Sequence, residues 1–475
     1  MPDNSSGAAG AHYKIKCPYC FKEFSHDKVH FRMETYFKDE YELDPEGRSL
    51  EDLEELDDSP KKESLIEEYK LKRSFLLRPD QKYVDFWEKF SDTSEIPSPS
   101  TDGSISPFER AVYDPNHPAH KQFFSGEFER DRDNLVVSIK DCFGKTTSRR
   151  VCPHCHNPLP RGYGKHAVKF ISVIGVTGSG KTVYLSQLIN GLSTSCVAVG
   201  LSANYLSNNE REFVERNLIL HGLPLPEGTS GKELAQPLFY NLIKGNDDGT
   251  IRTDTFVIYD IAGENCVSPE SMKSYGEFVL NSSGIIFIID PSQFLCWSET
   301  RDKKIKNEKI GTPHDVLNTI YNAFVEDSGG VKCKIPIAVS ISKGDKIAGD
   351  VFSRHLEAVS PVFDEKGRKL PEFNVKEHEG IKSKLKKAIE IDPNGMTLNQ
   401  DLQNMYEQYD YFILSAMGIG TEIIEGTELE TPAGPTNPKR IEEPLFWLFH
   451  RFGYIGPFEK PLTFWQKMSK AFAKK

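Results

Sequence analysis

Residues 175–182 read Gly-Val-Thr-Gly-Ser-Gly-Lys-Thr, which satisfies the spacing G-x-x-x-x-G-K-[ST] in full. Those residue types in that order suit a polyphosphate. Glycines without a Cβ let consecutive backbone N–H groups turn toward phosphate oxygens, the Lys181 ammonium would neutralise them, and the Thr182 hydroxyl would ligate Mg²⁺. The candidate contacts are Gly175, Thr177, Gly178, Ser179, Gly180, Lys181, Thr182 and Val183. An ordinary glycine-rich turn is the competing reading, and the flanks argue against it. The run 170–174 is apolar and rich in β-branched residues, while Val183, Leu185, Leu188 and Ile189 continue at helical spacing. Strand, loop and helix follow one another, and the helix N-terminus adds partial positive charge where phosphates would lie.

A second chemistry is carried by sulfur. Four of the nine cysteines form two pairs, Cys17-Pro-Tyr-Cys20 and Cys152-Pro-His-Cys155. Each CPxC is a tight turn that aims two thiolates at one ion, and two such turns complete a tetrahedral S₄ site for Zn²⁺ with no open position for water, which favours a structural role. The competing readings are separate reduced thiols, a redox dithiol, or a ligand set that draws on His26 and His30 or on His154 and His156. The gap from Cys20 to His26 is short for a finger loop, which ranks the histidines lower.

Carboxylates and small polar residues close the other apolar runs. Asp260-Ile-Ala-Gly263-Glu264 ends the run 253–260 and places a carboxylate to hold Mg²⁺, with a backbone N–H near a terminal phosphate. Ser342-Lys343-Gly-Asp345 follows the run 335–342, and Ser415-Ala416-Met417 follows the run 410–416.

Strands and helices must position these groups. Runs 237–243 and 253–260 flank the turn residues 245–249 and predict a hairpin; 284–290, 335–342 and 410–416 predict further buried strands, with helical stretches between them. Such alternation implies a mostly parallel sheet covered on both faces. The stretch 201–220 contains a second, more polar predicted helix at 208–219. Residues 347–405 exceed a normal connection and predict an insertion or lid.

At 475 residues the chain holds more than one domain, and its formal charge of −11 gives no general attraction for nucleic acid or anionic lipid. Lys140, Lys145, Arg149, Arg150 and Arg161 make at most a modest basic patch, beside an acidic neighbour. Without an apolar run of about 18 residues or an N-terminal h-region, the expected compartment is the cytoplasm. Residues 39–69 hold 14 acidic and 3 basic side chains, which predicts a solvated helix or flexible arm. Tyr83, Phe86, Trp87 and Phe90 recur at i, i+3, i+4 and i+7, a stripe that reads first as packed core. Residues 91–107 are a Ser/Pro/Thr linker. In the segment 458–475, Phe464, Trp465, Met468 and Phe472 share a helical face among lysines; docking on the chain itself is favoured over a membrane contact.

The ordered motifs resemble those of the TRAFAC-class GTPases: a P-loop, a switch threonine, DxxG, [NT]KxD and SA[KL]. The resemblance covers residues 169–454 and implies a doubly wound, Ras-like P-loop NTPase sheet with one antiparallel hairpin strand. It also implies that Asp345 selects guanine, that the Lys343 stem packs along the base, and that Ser415 and Ala416 complete the base loop. Thr229 becomes the candidate switch threonine, ligating Mg²⁺ with Thr182 and Asp260, with Thr253 and Thr255 as competitors. Glu264 would orient the attacking water, or be an exposed switch residue, and Gly263 would meet the γ-phosphate. Catalysis falls to Lys181, Thr229 and Glu264. Ser342 and Met417 depart from the family's pattern.

With a split zinc ribbon ahead of such a domain, the architecture resembles the bacterial double-GTPases of predicted conflict or defence systems, which implies protein partners, among them a second GTPase. The implied domains are a ribbon at 12–38 and 134–162, an acidic insertion at 39–133, a GTPase domain at 168–456 and a basic amphipathic tail at 457–475. The expected function is a GTP-hydrolysing switch using Mg²⁺ and Zn²⁺. The alternatives are an ATPase or nucleotide kinase, and a nucleotide-gated scaffold with negligible hydrolysis.

Overall fold

A computed structural model describes residues 14–34, 44, 46–57, 60–77, 80–90, 96–97, 110–115, 117, 128–140, 144–176, 178–226, 234, 236–246, 248–267, 269–329, 331–347, 356, 372–373 and 375–457, except 301–310. Thr177, Thr229, the linker 98–107 and the segment 458–475 lie outside them. The chain divides into two compact units, residues 1–168 with 205–209 and 232–234, and residues 169–204, 210–231 and 235–475.

The first unit is built on short strands. Lys14–Lys16 pairs antiparallel with Glu23–Ser25, and the turn between them carries Cys17 and Cys20. His30–Arg32 is the middle strand of a second sheet, flanked antiparallel by Val112–Tyr113 and by Arg150–Val151, which leads into Cys152. Phe128–Arg130, Val136–Lys140 and Thr146–Thr147 form a third. Strands this short bury little, and helices supply the missing core. The helix Gln81–Trp87 presents the aromatic stripe inward: Tyr83, Phe86, Trp87 and Phe90 are all buried. Phe86 and Trp87 meet Tyr19 of the first cysteine turn at centroid distances of 6.0 and 6.3 Å, and Trp87 Nε1 donates to Asn157 Oδ1 beside the second at 2.9 Å. The stretch between the cysteine pairs thus contributes to the core around them. Its acidic part forms the helices Leu50–Glu54 and Pro60–Leu76, the first closed by a Ser49–Asp52 capping box.

The second unit is a mixed α/β fold on a seven-stranded sheet. Its strands are β1 (Val168–Gly175), β2 (Leu201–Tyr205), β3 (Leu238–Gly245), β4 (Ile251–Ala262), β5 (Gly284–Ile289), β6 (Ile337–Ile341) and β7 (Tyr409–Ile413), in spatial order β2-β3-β4-β1-β5-β6-β7. β3 and β4 form an antiparallel hairpin from Leu238↔Ile258 to Gly245↔Ile251, while β1, β5, β6 and β7 pair in parallel. β5 and β6 are buried at every position, as strands covered on both faces must be, so they read as unbroken apolar runs. Among the flanking helices are α1 (Lys181–Val197), α2 (Asn209–Arg216), α3 (Pro269–Leu280), α4 (Pro313–Ser328), α5 (Val375–Ile389), α6 (Pro393–Met405) and α7 (Glu443–Arg451). Leu185, Leu188 and Ile189 of α1 share a core with Ile171 and Val173 of β1 and with Leu445, Phe446 and Trp447 of α7.

Three features go beyond the sequence expectation. The stretch 201–220 begins with edge strand β2, whose alternation of buried and exposed residues covers only five positions before α2 starts. The described part of 347–405 contains α5 and α6, and α5 is tied to the sheet: His378 Nε2 and Lys382 Nζ lie 3.1 and 3.2 Å from the Asp410 carboxylate of β7. After Ala416 the chain makes a further hairpin, Thr421–Ile423 with Glu430–Pro432. That hairpin binds the segment after α2, Leu225 N–H donating to Glu430 O at 2.8 Å and Gly222 N–H to Thr431 Oγ1 at 2.8 Å. No helix among the described residues is long and apolar enough to cross a membrane.

Candidate nucleotide site and candidate metal centre

The glycine loop leaves β1 at Gly175 and enters α1 at Lys181, with Gly178 and Gly180 at φ 76° and 75°, a backbone region that costs other residues about 1–2 kcal/mol. Ser179 N–H closes the turn on Val176 O at 3.0 Å. A Cβ on Gly175 would lie 2.4 Å from Ser179 Oγ, and one on Gly263 would lie 2.3 Å from the Gly175 carbonyl oxygen, so only glycine fits at either place. Gly263, at the end of β4, thereby lays its backbone against the loop. Lys181 is buried and ion-paired with Asp260, also buried, on β4. Thr182 is buried one residue on, and Val183 half-buried. Gly263 opens the short 3₁₀ turn Gly263–Cys266, which includes Glu264, whose side chain lies outside the described atoms. Burial pushes the Cys266 thiol up to about 12.

The ends of β6 and β7 supply the other half of the arrangement. Ser342 Oγ donates to the loop carbonyl of Ser179 at 2.7 Å, so this serine reaches the loop directly. Lys343 takes a left-handed backbone, φ 49° and ψ 36°, and its Nζ donates to the Gly178 carbonyl at 2.8 Å. Asp345 is exposed and accepts from Ser415 Oγ. Ser415 Oγ also accepts from Gly418 N–H at 2.9 Å, and Gly344 N–H donates to Leu414 O at 2.9 Å, which locks the two loops together. Half-buried Ala416 follows Ser415. Lys181, Asp260, Gly263, Lys343, Asp345 and Ser415 are thus brought to the C-terminal ends of β1, β4, β6 and β7, the edge where open α/β sheets bind ligands. Sequence reasoning passed over Asp290, which follows β5 and whose Oδ2 lies 2.7 Å from Lys343 Nζ. Its signal was available: a lone carboxylate ending an apolar strand next to the loop strand.

In the first unit the four thiols converge. Cys17 Sγ and Cys155 Sγ are 3.7 Å apart, Cys20 Sγ and Cys152 Sγ 3.8 Å, and all four lie within 4.8 Å of one another. A disulfide would need about 2.05 Å, whereas a tetrahedron with bonds of about 2.3 Å has edges of about 3.8 Å. The cluster could therefore hold a metal ion. The two turns match in detail. Tyr19 N–H donates to Cys17 Sγ and His154 N–H to Cys152 Sγ, both at 3.4 Å; Phe21 N–H returns to Cys17 O and His156 N–H to Cys152 O; and Phe21 and His156 share φ 53°. Burial raises the Cys17 and Cys155 thiols, while hydrogen bonds from the other cysteines hold Cys20 low.

Histidines are outside the cluster. His26 Nδ1 lies 3.4 Å from Val136 N; His156 Nδ1 lies 2.6 Å from Asp80 Oδ1, and its Nε2 lies 3.2 Å from His30 Nδ1. Burial pushes the Asp80 carboxyl up, but His156 and Arg32 outweigh it and hold it low. The basic residues nearby are committed too: Arg150 is buried and donates to Tyr163 O at 3.0 Å, Arg149 pairs with Glu34 at 2.9 Å, and Lys165 pairs with Asp131 and Asp133. Arg149, Arg150 and Lys165 are thus engaged within their own unit, whereas Lys140 and Arg161 of the basic patch are exposed.

The glycine loop after β1 and the Lys-Gly-Asp loop after β6 thus meet at one edge of the sheet. No protein-family model matches the chain. Among curated proteins it is similar to a putative ESX-1 scaffolding and assembly protein, SaeC, of Mycolicibacterium smegmatis, 28% identical over 186 residues, 36% of this chain and 46% of that protein. The chain therefore spans less than half of that relative's length. Among solved structures it superposes in part on a GTP-binding protein of Sulfolobus solfataricus in complex with GDP, with a TM-score of 0.21, 15% identity, 52% of this chain and 47% of the other. It superposes likewise on the S. cerevisiae Ski7 GTPase-like domain bound to GTP, with a TM-score of 0.25, 12% identity, 62% of this chain and 52% of the other.

Proposed function

We propose that the chain is a guanine-nucleotide switch: it binds GTP with Mg²⁺ and hydrolyses it, and its nucleotide state governs association with protein partners. The observation that carries this reading is the pairing of two half-sites on one sheet edge, Lys181 with Asp260 at the phosphate loop and Asp345 with Ser415 at the base loop. Asp345 accepts from Ser415 Oγ through one oxygen and, being exposed, keeps acceptor sites on both oxygens for the paired N–H donors of guanine. Gly175, Thr177, Gly178, Ser179, Gly180 and Val183 line the phosphates, with Ala416 at the base. Thr182, Asp260 and Thr229 would hold Mg²⁺, which when bound supplies charge neutralisation between the phosphates. Glu264, next to Gly263, orients the attacking water.

Zn²⁺ in the cluster of Cys17, Cys20, Cys152 and Cys155 would be structural, since four thiolates fill a tetrahedral shell. The partner class is protein, a second GTPase among the candidates; the putative scaffolding and assembly role of the M. smegmatis relative accords with this. An ATPase is the second reading, favoured by Ser342 standing where guanine-selective proteins carry Asn or Thr.

The test is GTP and ATP affinity with Mg²⁺ for wild type, Lys181→Ala and Asp345→Asn. Lys181→Ala should lose both nucleotides, and Asp345→Asn should lose roughly 10- to 100-fold of the preference for GTP, the scale of a hydrogen bond to a charged group. ATP bound as tightly as GTP by the wild type would replace the first reading with the second.

A further inference from the structure

We propose that Asp290 is a positioning residue of the nucleotide site, holding the Lys343 ammonium on the phosphate loop's carbonyl side. The inference rests on the nucleotide reading above and adds a residue to it.

A loop that turns N–H groups toward an anion leaves its carbonyl oxygens on the other side, and buried carbonyls need donors. Two are answered from the end of β6: Ser342 Oγ donates to Ser179 O at 2.7 Å and Lys343 Nζ to Gly178 O at 2.8 Å. Ser342 is fixed by its neighbours, its N–H on Ile289 O at 2.9 Å and its Oγ 3.1 Å from the same oxygen. Lys343 has a long, flexible side chain on a left-handed backbone and needs a second restraint.

Asp290 supplies it. The parallel register Ile289↔Ile341 sets the residues after β5 and β6 side by side. Asp290 is 4% exposed, and its two oxygens are divided: Oδ1 accepts from Ser292 N–H at 2.8 Å, which caps the turn Pro291–Gln293, and Oδ2 lies 2.7 Å from Lys343 Nζ. A buried carboxylate anchored by a turn has one direction left, and that direction is the lysine. The Lys343 stem passes the loop where a Cβ on Gly180 would meet its Cε at 3.8 Å, so the ammonium's place also sets the room at Gly180. Asp290 touches no part of the loop itself in these bonds; it acts through Lys343. Its influence falls on the phosphate cradle, whereas Asp345 reads the base.

The experiment measures dissociation constants for GTP and for ATP, each with Mg²⁺, for wild type, Asp290→Asn, Lys343→Met and the double variant. The Asn amide keeps an acceptor for Ser292 N–H, so the turn is preserved. Asp290→Asn is expected to weaken GTP and ATP by the same factor, about tenfold, the scale of one charge-assisted hydrogen bond. In the Lys343→Met background the same change should have no further effect. Unchanged affinity in Asp290→Asn, an equal loss in both backgrounds, or a loss confined to GTP would each overturn the proposal. A wild type that binds neither nucleotide overturns the nucleotide reading beneath it, a failure that the variants cannot mimic.

Discussion

In the cysteine turns the left-handed positions are occupied by Phe21 and His156, both at φ 53°; in the phosphate loop they are occupied by Gly178 and Gly180. Each side chain costs about 1–2 kcal/mol there, and in the turns each has work. The Lys16 ammonium lies 5.9 Å from the centre of the Phe21 ring, and His156 joins Asp80 to His30. The thiolates point at a spot a few ångströms across, and the residue after each pair is outside it. A phosphate loop gives its backbone to the ligand, so side chains near it become obstacles. The metal-type site therefore tolerates strain beside its donors, while the nucleotide-type site removes it.

On the proposed reading, in which the four cysteines hold Zn²⁺, removing the metal breaks the comparison most strongly. Structural Zn²⁺ in small domains contributes about 10–16 kcal/mol to folding, and the sheets around the cysteines have two or three short strands. Cys152→Ser, or a strong chelator, should abolish amide-exchange protection in 14–34 and 144–163 while β1, β5 and β6 stay protected. Equal loss in both units would mean that the second does not stand on its own core.

Gly263→Ala tests the opposite half. Its Cβ would press on the Gly175 carbonyl at 2.3 Å, so the loop must shift. A drop in nucleotide affinity of at least tenfold, with thermal stability changed by about 1–2 kcal/mol, is expected; wild-type affinity would show that the two segments separate before ligand enters.

A third test concerns a feature common to both units, a buried carboxylate between a histidine and a basic side chain. Burial pushes Asp410 up, but His378 and Lys382 hold it below the ordinary value near about 3.9. A depressed carboxylate stabilises the fold above its unfolded pKa and loses that contribution as pH falls through its folded one. Asp410→Asn should cost about 1–3 kcal/mol at pH 7, and the gap from wild type should narrow as pH drops below about 4 in urea melts. A gap that widens in acid would reverse the assignment.

Much of both sites was legible because each is local in sequence. Two CPxC turns and one eight-residue loop carry their geometry in their spacing, and β5 and β6 betray themselves as unbroken apolar runs. Asp290 was not legible as a partner of Lys343, since that contact needs the β5–β6 register and a left-handed lysine. Strand β2 was hidden because five residues, two buried and three exposed, leading into a polar helix give no clear period. The hairpin after Ala416 contains Glu422, Glu425, Glu428 and Glu430 among few apolar residues, which reads as loop; its order comes from residues about two hundred positions earlier.

The ion pair of Lys181 with Asp260 gives ligand entry the character of an exchange. A phosphate that claims the lysine strips a buried carboxylate of its counter-charge, and the free energy of entry is a difference between two ion pairs, not the worth of one. On the proposed reading, a nucleotide alone is a poor trade partner. Only one accompanied by a divalent ion leaves both charges answered. Ionic strength should then weaken capture far less than the count of phosphate charges suggests, because the cradle meets its ligand already neutral.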